Sequence, residues 1–145
     1  MIVVADTSAL YAAFDADQEE HSEAASVMES ETLAISPLVL TELDHLIRRD
    51  IGFLASCDVA EALVDRISDG QYKLAELKHT DMIVAQKVRR RYASLRLDLA
   101  DAVGVLLADR YRTDRIFTLD HRDYRAVKPL SPQFDAFRLL PADGR

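Results

Sequence analysis

Cysteine occurs once, at Cys57, so the chain can form no internal disulfide and no cysteine-rich zinc site. No apolar run approaches the roughly 20 residues that a membrane span requires. The start Met1-Ile2-Val3-Val4 meets Asp6 almost at once and is far too short for a signal peptide. Glycine and proline number four each and form no linker; low-complexity tracts and repeats are also absent. There is no GxGxxG, P-loop or GxSxG, so dinucleotide, nucleoside triphosphate and serine-hydrolase chemistries have no support. The four histidines, His21, His45, His79 and His121, show neither HxH nor HExxH spacing. These absences describe a cytoplasmic protein without a membrane segment.

What is present suits one domain spanning residues 1–145, long enough to bury a core without staples. Hydrophobic residues make up 49% and charged residues 30%, which argues against disorder. The net charge of −7 at first argues against nucleic acid, but the charge is split along the chain. Residues 1–86 hold 5 Lys/Arg against 17 Asp/Glu, whereas residues 87–128 hold 11 against 6. A local basic region can bind phosphates on an acidic protein. A solvated helix face explains Lys87-Val88-Arg89-Arg90-Arg91 equally well.

Short apolar runs alternate with helical patterns. Strands are expected at Ile2–Ala5, Thr32–Ile35, Tyr72–Ala75 and Arg115–Leu119, with an edge strand at Ala136–Leu140. Helices are expected at Ala9–Phe14, His21–Ser30, Ser36 to about Arg49, Thr80–Ala93 and Leu99–Tyr111. One more should open at an Asp58/Glu61 capping box and run to about Ile67. After Tyr124 the chain reads as irregular. This alternation implies an α/β fold whose parallel strands are covered on both faces, with ligands outside the strands' carboxyl ends.

Four acids stand out. Asp6 and Asp120 each stand just past the end of an expected strand. Glu42 has Leu38, Val39 and Leu46 as its helical neighbours, on or beside the buried stripe. Asp101 is the sole polar residue in Leu99–Ala108, a stretch otherwise apolar all round. A charge buried there needs an arginine, helix-start amides or a bound cation to compensate it. Each acid also has an ordinary explanation: Asp6 as a helix cap, Glu42 as a boundary residue, Asp101 as a first-turn acid, Asp120 as a turn opener. Those explanations must hold jointly to remove the site. Four carboxylates without His or Cys make a hard oxygen site, which selects Mg2+ or Mn2+ over zinc.

The motifs Asp6-Thr7-Ser8-Ala9-Leu10, Ser36-Pro37 with Thr41-Glu42-Leu43, Leu99-Ala100-Asp101-Ala102, and Phe117-Thr118-Leu119-Asp120 with Arg122 and Tyr124 follow one another in order. Together they resemble PIN-domain ribonucleases of the VapC toxin branch, over nearly the whole chain. The resemblance implies a three-layer α/β/α fold with a central parallel β-sheet. It implies metal-dependent endonucleolytic cleavage of RNA such as tRNA or rRNA, leaving a 5′-phosphate and a 3′-hydroxyl. It also implies a homodimer and a VapB-type antitoxin that obstructs the pocket. Asp6, Glu42, Asp101 and Asp120 match the family's catalytic and metal-binding acids. Thr7, Ser8 and Thr118 match hydroxyl positions beside them. Asp98 is kept as a cap or outlying acid, and Asp123 as an accessory acid.

Within this reading Arg89, Arg90, Arg91, Arg112, Arg115 and Arg122 hold flanking RNA phosphates. Leu40, Leu43, Ile47, Phe53, Leu54, Leu63 and Ile67 read mainly as core, with a helical groove or dimer face as the alternative. A haloacid-dehalogenase-like phosphatase would need a second Asp where Ser8 stands. A receiver domain would need paired early acids and a well-placed lysine, and Lys128 does not fit. A catalytically silent PIN-like interaction module is the remaining alternative.

Overall fold

A computed structural model describes residues 1–144. In chain order the elements are β1 (Ile2–Ala5), α1 (Thr7–Phe14), α2 (His21–Ser30), β2 (Thr32–Ile35), α3 (Pro37–Asp50), α4 (Phe53–Ser68), β3 (Lys73–Leu74), α5 (His79–Arg91), α6 (Leu99–Arg110), β4 (Arg115–Phe117), α7 (His121–Ala126) and β5 (Arg138–Leu140). A 3-10 turn at Ala93–Leu95 joins α5 to α6.

The five strands form one all-parallel sheet in the order β3-β2-β1-β4-β5. Their side chains explain why. Val3, Ala5, Leu33, Ile35, Phe117 and Leu140 face a core shared with α1 to α4. Val4, Ile116 and Leu139 face the opposite core, shared with α5, α6 and α7. Strands buried on both faces read as continuous apolar runs, and only helical layers on each side can cover them. The result is the three-layer α/β/α arrangement. The chain steps outward from β1 to β2 and β3, then returns to place β4 on the other side of β1. The topological switch point therefore lies between β1 and β4, where open α/β sheets form their ligand crevice.

Local chemistry sets the helix starts near that crevice. Ser36 caps α3, its Oγ accepting from the Val39 amide at 3.2 Å, with Pro37 in the first turn. Asp98 caps α6, its Oδ1 accepting from the Asp101 amide at 2.8 Å. Helices α5 and α6 pack as an antiparallel hairpin, pinned at the far end by Arg110 and Asp81 at 2.8 Å.

Three expectations need correction. Helix α4 begins at Phe53, five residues before the supposed capping box, because Gly52 at φ 149 makes the break from α3. Asp58 lies exposed inside that helix and caps nothing. The segment after Leu119 is not merely a turn: Asp120 caps α7, accepting from the Asp123 amide at 3.4 Å. The expected core residues also divide, since Leu43, Ile47 and Leu63 are buried but Phe53 and Leu54 are exposed. No helix among the described residues is long and apolar enough to cross a membrane.

Candidate active site

Asp6 follows β1 directly. Its backbone amide donates to the Phe117 carbonyl at 2.9 Å, extending the pairing of β1 with β4. It occupies the N-cap position of α1, yet its side chain makes no capping bond. Instead Asp6 Oδ2 accepts from Ser8 Oγ at 2.9 Å and from Thr118 Oγ1 at 2.7 Å. Those hydroxyls are themselves anchored: Ser8 Oγ accepts from the Leu119 amide, and Thr118 Oγ1 from the Asp120 amide, both at 2.9 Å. A hydroxyl that accepts from backbone and donates to a carboxylate fixes that carboxylate's orientation.

Asp101, in the first turn of α6, and Asp120 and Asp123, at the start of α7, each offer a carboxylate oxygen within 4.8 Å of the others'. Asp6 completes the group electrostatically, since its charge raises Asp101 and Asp120 acts on both. Glu42, carried inward by α3, feels Asp98 and Asp6. Acids from β1, α3, α6 and the β4–α7 junction thus converge at the switch point.

The shared cause of their perturbation is burial, followed by like charge. Burial pushes the Asp6 carboxyl up against the opposing pull of the Thr118 and Ser8 hydroxyls. Burial and then Asp98 raise Glu42, opposed by the Thr7 hydroxyl. That hydroxyl is buried and forms no well-aligned hydrogen bond among the described residues, yet it stands near enough to Glu42 to favour its charged form. Asp101 is pushed up to about 9, by burial first and then by Asp6, Asp98 and Asp120. Asp123 is raised by burial and Asp120, eased only by Arg122. One Asp123 oxygen is buried without a partner.

The sequence leaves three ways to compensate Asp101. Among the described residues no arginine or lysine pairs with Asp6, Glu42, Asp101 or Asp120. The helix-start amide of Asp101 is given to Asp98. A proton or a bound cation remains. Crowded carboxylates with partnerless oxygens and no His or Cys suit a hard divalent ion.

The other expected residues separate by place. Asp98 acts both as a cap and as a charge on Glu42, Asp101 and Asp123. Asp123 belongs to the tightest acidic trio, closer in than an accessory position implies. Arg122 acts on Asp123 as a neighbouring positive charge. Arg89, Arg90 and Arg91 end α5, next to the start of α6 and on the acids' side of the molecule. Arg112 and Arg115 follow α6 and open β4, at the opposite edge of the sheet. Nine helical steps carry the chain from Asp101 to Arg110 at the end of α6, about 14 Å at 1.5 Å each, and Arg112 lies beyond. Tyr124 has no role that the sequence reveals. It is buried under the acids, and its hydroxyl is pushed well up by burial and by Asp6 and Asp101.

A PIN domain family profile matches residues 3–129. The chain is 35% identical over 130 residues to Ribonuclease VapC26 of Mycobacterium tuberculosis, covering 88% of this chain and 93% of that protein. Its fold is similar to that of Mycobacterium tuberculosis VapC20, a sarcin–ricin loop cleaving toxin. The TM-score there is 0.74 at 18% identity, over 84% of this chain and 92% of that one. VapBC2 from Rickettsia felis, bound to a DNA fragment from their promoter, gives a TM-score of 0.67 at 12% identity, over 96% and 98%. A toxin–antitoxin complex from Klebsiella pneumoniae gives 0.61 at 16%, over 92% and 98%. At such identities the structural likenesses establish the fold.

Proposed function

The chain belongs to the PIN-domain family, and from that membership and its site we infer that it is the ribonuclease of a type II toxin–antitoxin pair. It hydrolyses RNA phosphodiester bonds, in structured RNA such as tRNA or rRNA, in the cytoplasm. The observation that carries this reading is the convergence of Asp6, Glu42, Asp101, Asp120 and Asp123 at the β1–β4 switch point, where, among the described residues, no basic side chain forms an ion pair with them. The whole chain acts as one PIN domain, with β5 completing the sheet beyond the matched span.

Asp101, Asp120 and Asp123 would hold Mg2+ or Mn2+, with Asp6 and Glu42 closing the set. When bound, the ion supplies a water of lowered pKa and neutralises charge on the scissile phosphate. The chain's own residues prepare the place. Ser8 and Thr118 orient Asp6. Asp98 fixes the first turn of α6 and thereby Asp101. Asp120 fixes the first turn of α7 and thereby Asp123. The acids repel RNA phosphates until their charge is balanced, so RNA binding should follow metal binding.

The antitoxin has a candidate seat. A groove of about 280 Å3 runs between α3 and α4, lined by Leu40, Leu43, Val59, Ala60, Leu63 and Val64. It suits an apolar helical segment of a partner, and the solved toxin–antitoxin relatives support such a partner. A homodimer is part of the same proposal, and analytical ultracentrifugation of the free protein reads it directly.

The deciding experiment is cleavage of total RNA by antitoxin-free protein with Mg2+ or Mn2+, beside Asp101→Asn and beside EDTA. Discrete fragments that require both metal and Asp101, ending in 5′-phosphates, are expected. No cleavage by folded, metal-loaded wild type would overturn the nuclease reading in favour of a silent PIN-like binding module.

A further inference from the structure

The loop from α5 to α6 carries a cleft of about 390 Å3, lined by Gln86, Arg89, Arg90, Ala93, Arg96 and Leu97. Half of these residues are arginines and none is an acid. Arg90 and Arg96 are exposed and, among the described residues, form no ion pair. Arg89 differs from them. Its Nε donates to the Leu97 carbonyl at 2.9 Å, and its Nη1 lies 3.4 Å from Gln86 Oε1. It therefore holds the loop immediately before Asp98 and stiffens the floor of the cleft.

A helix C-terminus attracts basic residues by itself, which is sufficient to account for Arg89, Arg90 and Arg91 in the last turn of α5. It does not account for Arg96, which lies beyond the helix. Arg96 adopts φ 53, the left-handed region that glycine enters at least cost. Arg112 shares this conformation at φ 52, so the angle alone marks no site; the place of Arg96 does. Here the strained residue presents a free guanidinium two residues before Asp98, at most about 7 Å along the backbone. An unpaired pair of positive charges on this side of the molecule thus adjoins the acidic crevice.

We propose that Arg90 and Arg96 form a phosphate subsite that holds single-stranded RNA next to the scissile bond, with Arg89 as the residue that positions it. The proposal rests on the ribonuclease reading for its ligand and deepens it. It narrows the six arginines expected from sequence, since Arg112 and Arg115 sit at the opposite sheet edge and take no part. A planar guanidinium pair suits phosphate oxygens better than ammonium groups do.

The test measures binding of a labelled single-stranded RNA oligonucleotide to the full-length Asp101→Asn protein at saturating Mg2+, across a series of monovalent salt. Arg90→Gln with Arg96→Gln should weaken binding and flatten the slope of log K against log salt by about 1.4, at about 0.7 for each phosphate no longer neutralised. Arg96→Gly supplies the control for folding. It should flatten the slope by about 0.7 while the Tm stays at or above that of the parent, because glycine relieves the backbone. Arg112→Gln with Arg115→Gln should leave the slope unchanged. Unaltered slopes in the Arg90 and Arg96 variants, an equal effect of the Arg112/Arg115 pair, or no RNA binding at all would each overturn the subsite. Failure of the wild type to cut RNA, with the slopes as expected, would remove the nuclease reading and leave the subsite standing.

Discussion

Thr118 Oγ1 donates a 2.7 Å hydrogen bond to Asp6 Oδ2, joining the ends of two neighbouring strands that are 112 residues apart in sequence. Both residues are buried, so the bond works in a poorly solvated place and partly offsets the burial of a carboxylate. Thr118→Val keeps the shape and removes the donor. It also strands the Asp120 amide, which gives its proton to the same hydroxyl. A charge-assisted bond of this kind contributes about 1.5–3 kcal/mol. The expected outcome is a lower Tm and a roughly 10–100-fold loss of Mn2+ affinity or RNA cleavage, the usual scale for a group that orients a ligand. Thr118→Ser should restore most of both; calorimetric Mn2+ titration of the three proteins is the check.

Asp101 gives a pH dependence whose sign can be worked out. Its carboxyl stands at about 9 in the folded metal-free chain, far above the ordinary carboxylate value. The folded state therefore holds a proton that the unfolded state has lost. Stability from this group is complete below the unfolded value and declines as pH rises through about 9. Metal-free protein should lose Tm steadily from about pH 5 to about pH 9, and Asp101→Asn should flatten that decline. At about pH 8 the asparagine variant should be more stable than wild type by roughly 1–3 kcal/mol, as when buried like charges are relieved. Adding Mn2+ should raise the wild-type Tm by mass action and raise the variant's by less. Thermal melts across pH, with and without Mn2+, read all three; a wild type whose Tm rises with pH would contradict the argument.

Gly104 lies in the middle of α6, where a Cβ would sit 2.8 Å from the Tyr124 hydroxyl. Tyr124 cannot easily yield, being buried and packed edge-on against Phe137 with ring centroids 6.0 Å apart. Gly104→Ala gains about 1 kcal/mol in helix propensity but costs about 1–3 kcal/mol through overpacking. The net expectation is a small fall in Tm with a larger fall in cleavage, because Tyr124 belongs to α7, which carries Asp123. Gly104→Ala combined with Tyr124→Phe should recover Tm if the clash is the cause.

Val64 is half exposed on the rim of the α3–α4 groove. Val64→Asp should leave Tm and RNA cleavage near wild type while weakening antitoxin binding at least about tenfold, or about 1.4 kcal/mol. Surface plasmon resonance against the antitoxin decides it; unchanged affinity would move the antitoxin to another face.

Much of this architecture is legible in the residues themselves. The strands announce themselves because Val3-Val4-Ala5, Leu33-Ala34-Ile35 and Ile116-Phe117 are apolar on both faces. Glu42 and Asp101 are visible as charges in or beside apolar stripes, and Asp6 and Asp120 as acids just past strand ends. What escapes is geometry without periodicity. Helix α7 has six residues and buries only Tyr124, too little for a repeat to show, and Asp123's place in the acidic trio depends on that helix. Helix α4 begins at a glycine whose backbone angle leaves no trace in composition. The basic run of residues 87–128 folds into a hairpin, so charges close in sequence end at opposite edges of the sheet. A count of arginines cannot reveal which turn of the chain sends each one where.

The pairing of Asp6 with Phe117 and Thr118 also sets a time for the centre to exist. During synthesis Asp6 and Glu42 leave the ribosome early, but the strand that locks Asp6 in place and the helix that brings Asp123 come near the end. A nascent chain halted before β4 has part of its acids and none of its crevice. The centre is thus a property of the nearly full-length chain, and a product terminated before β4 should lack it.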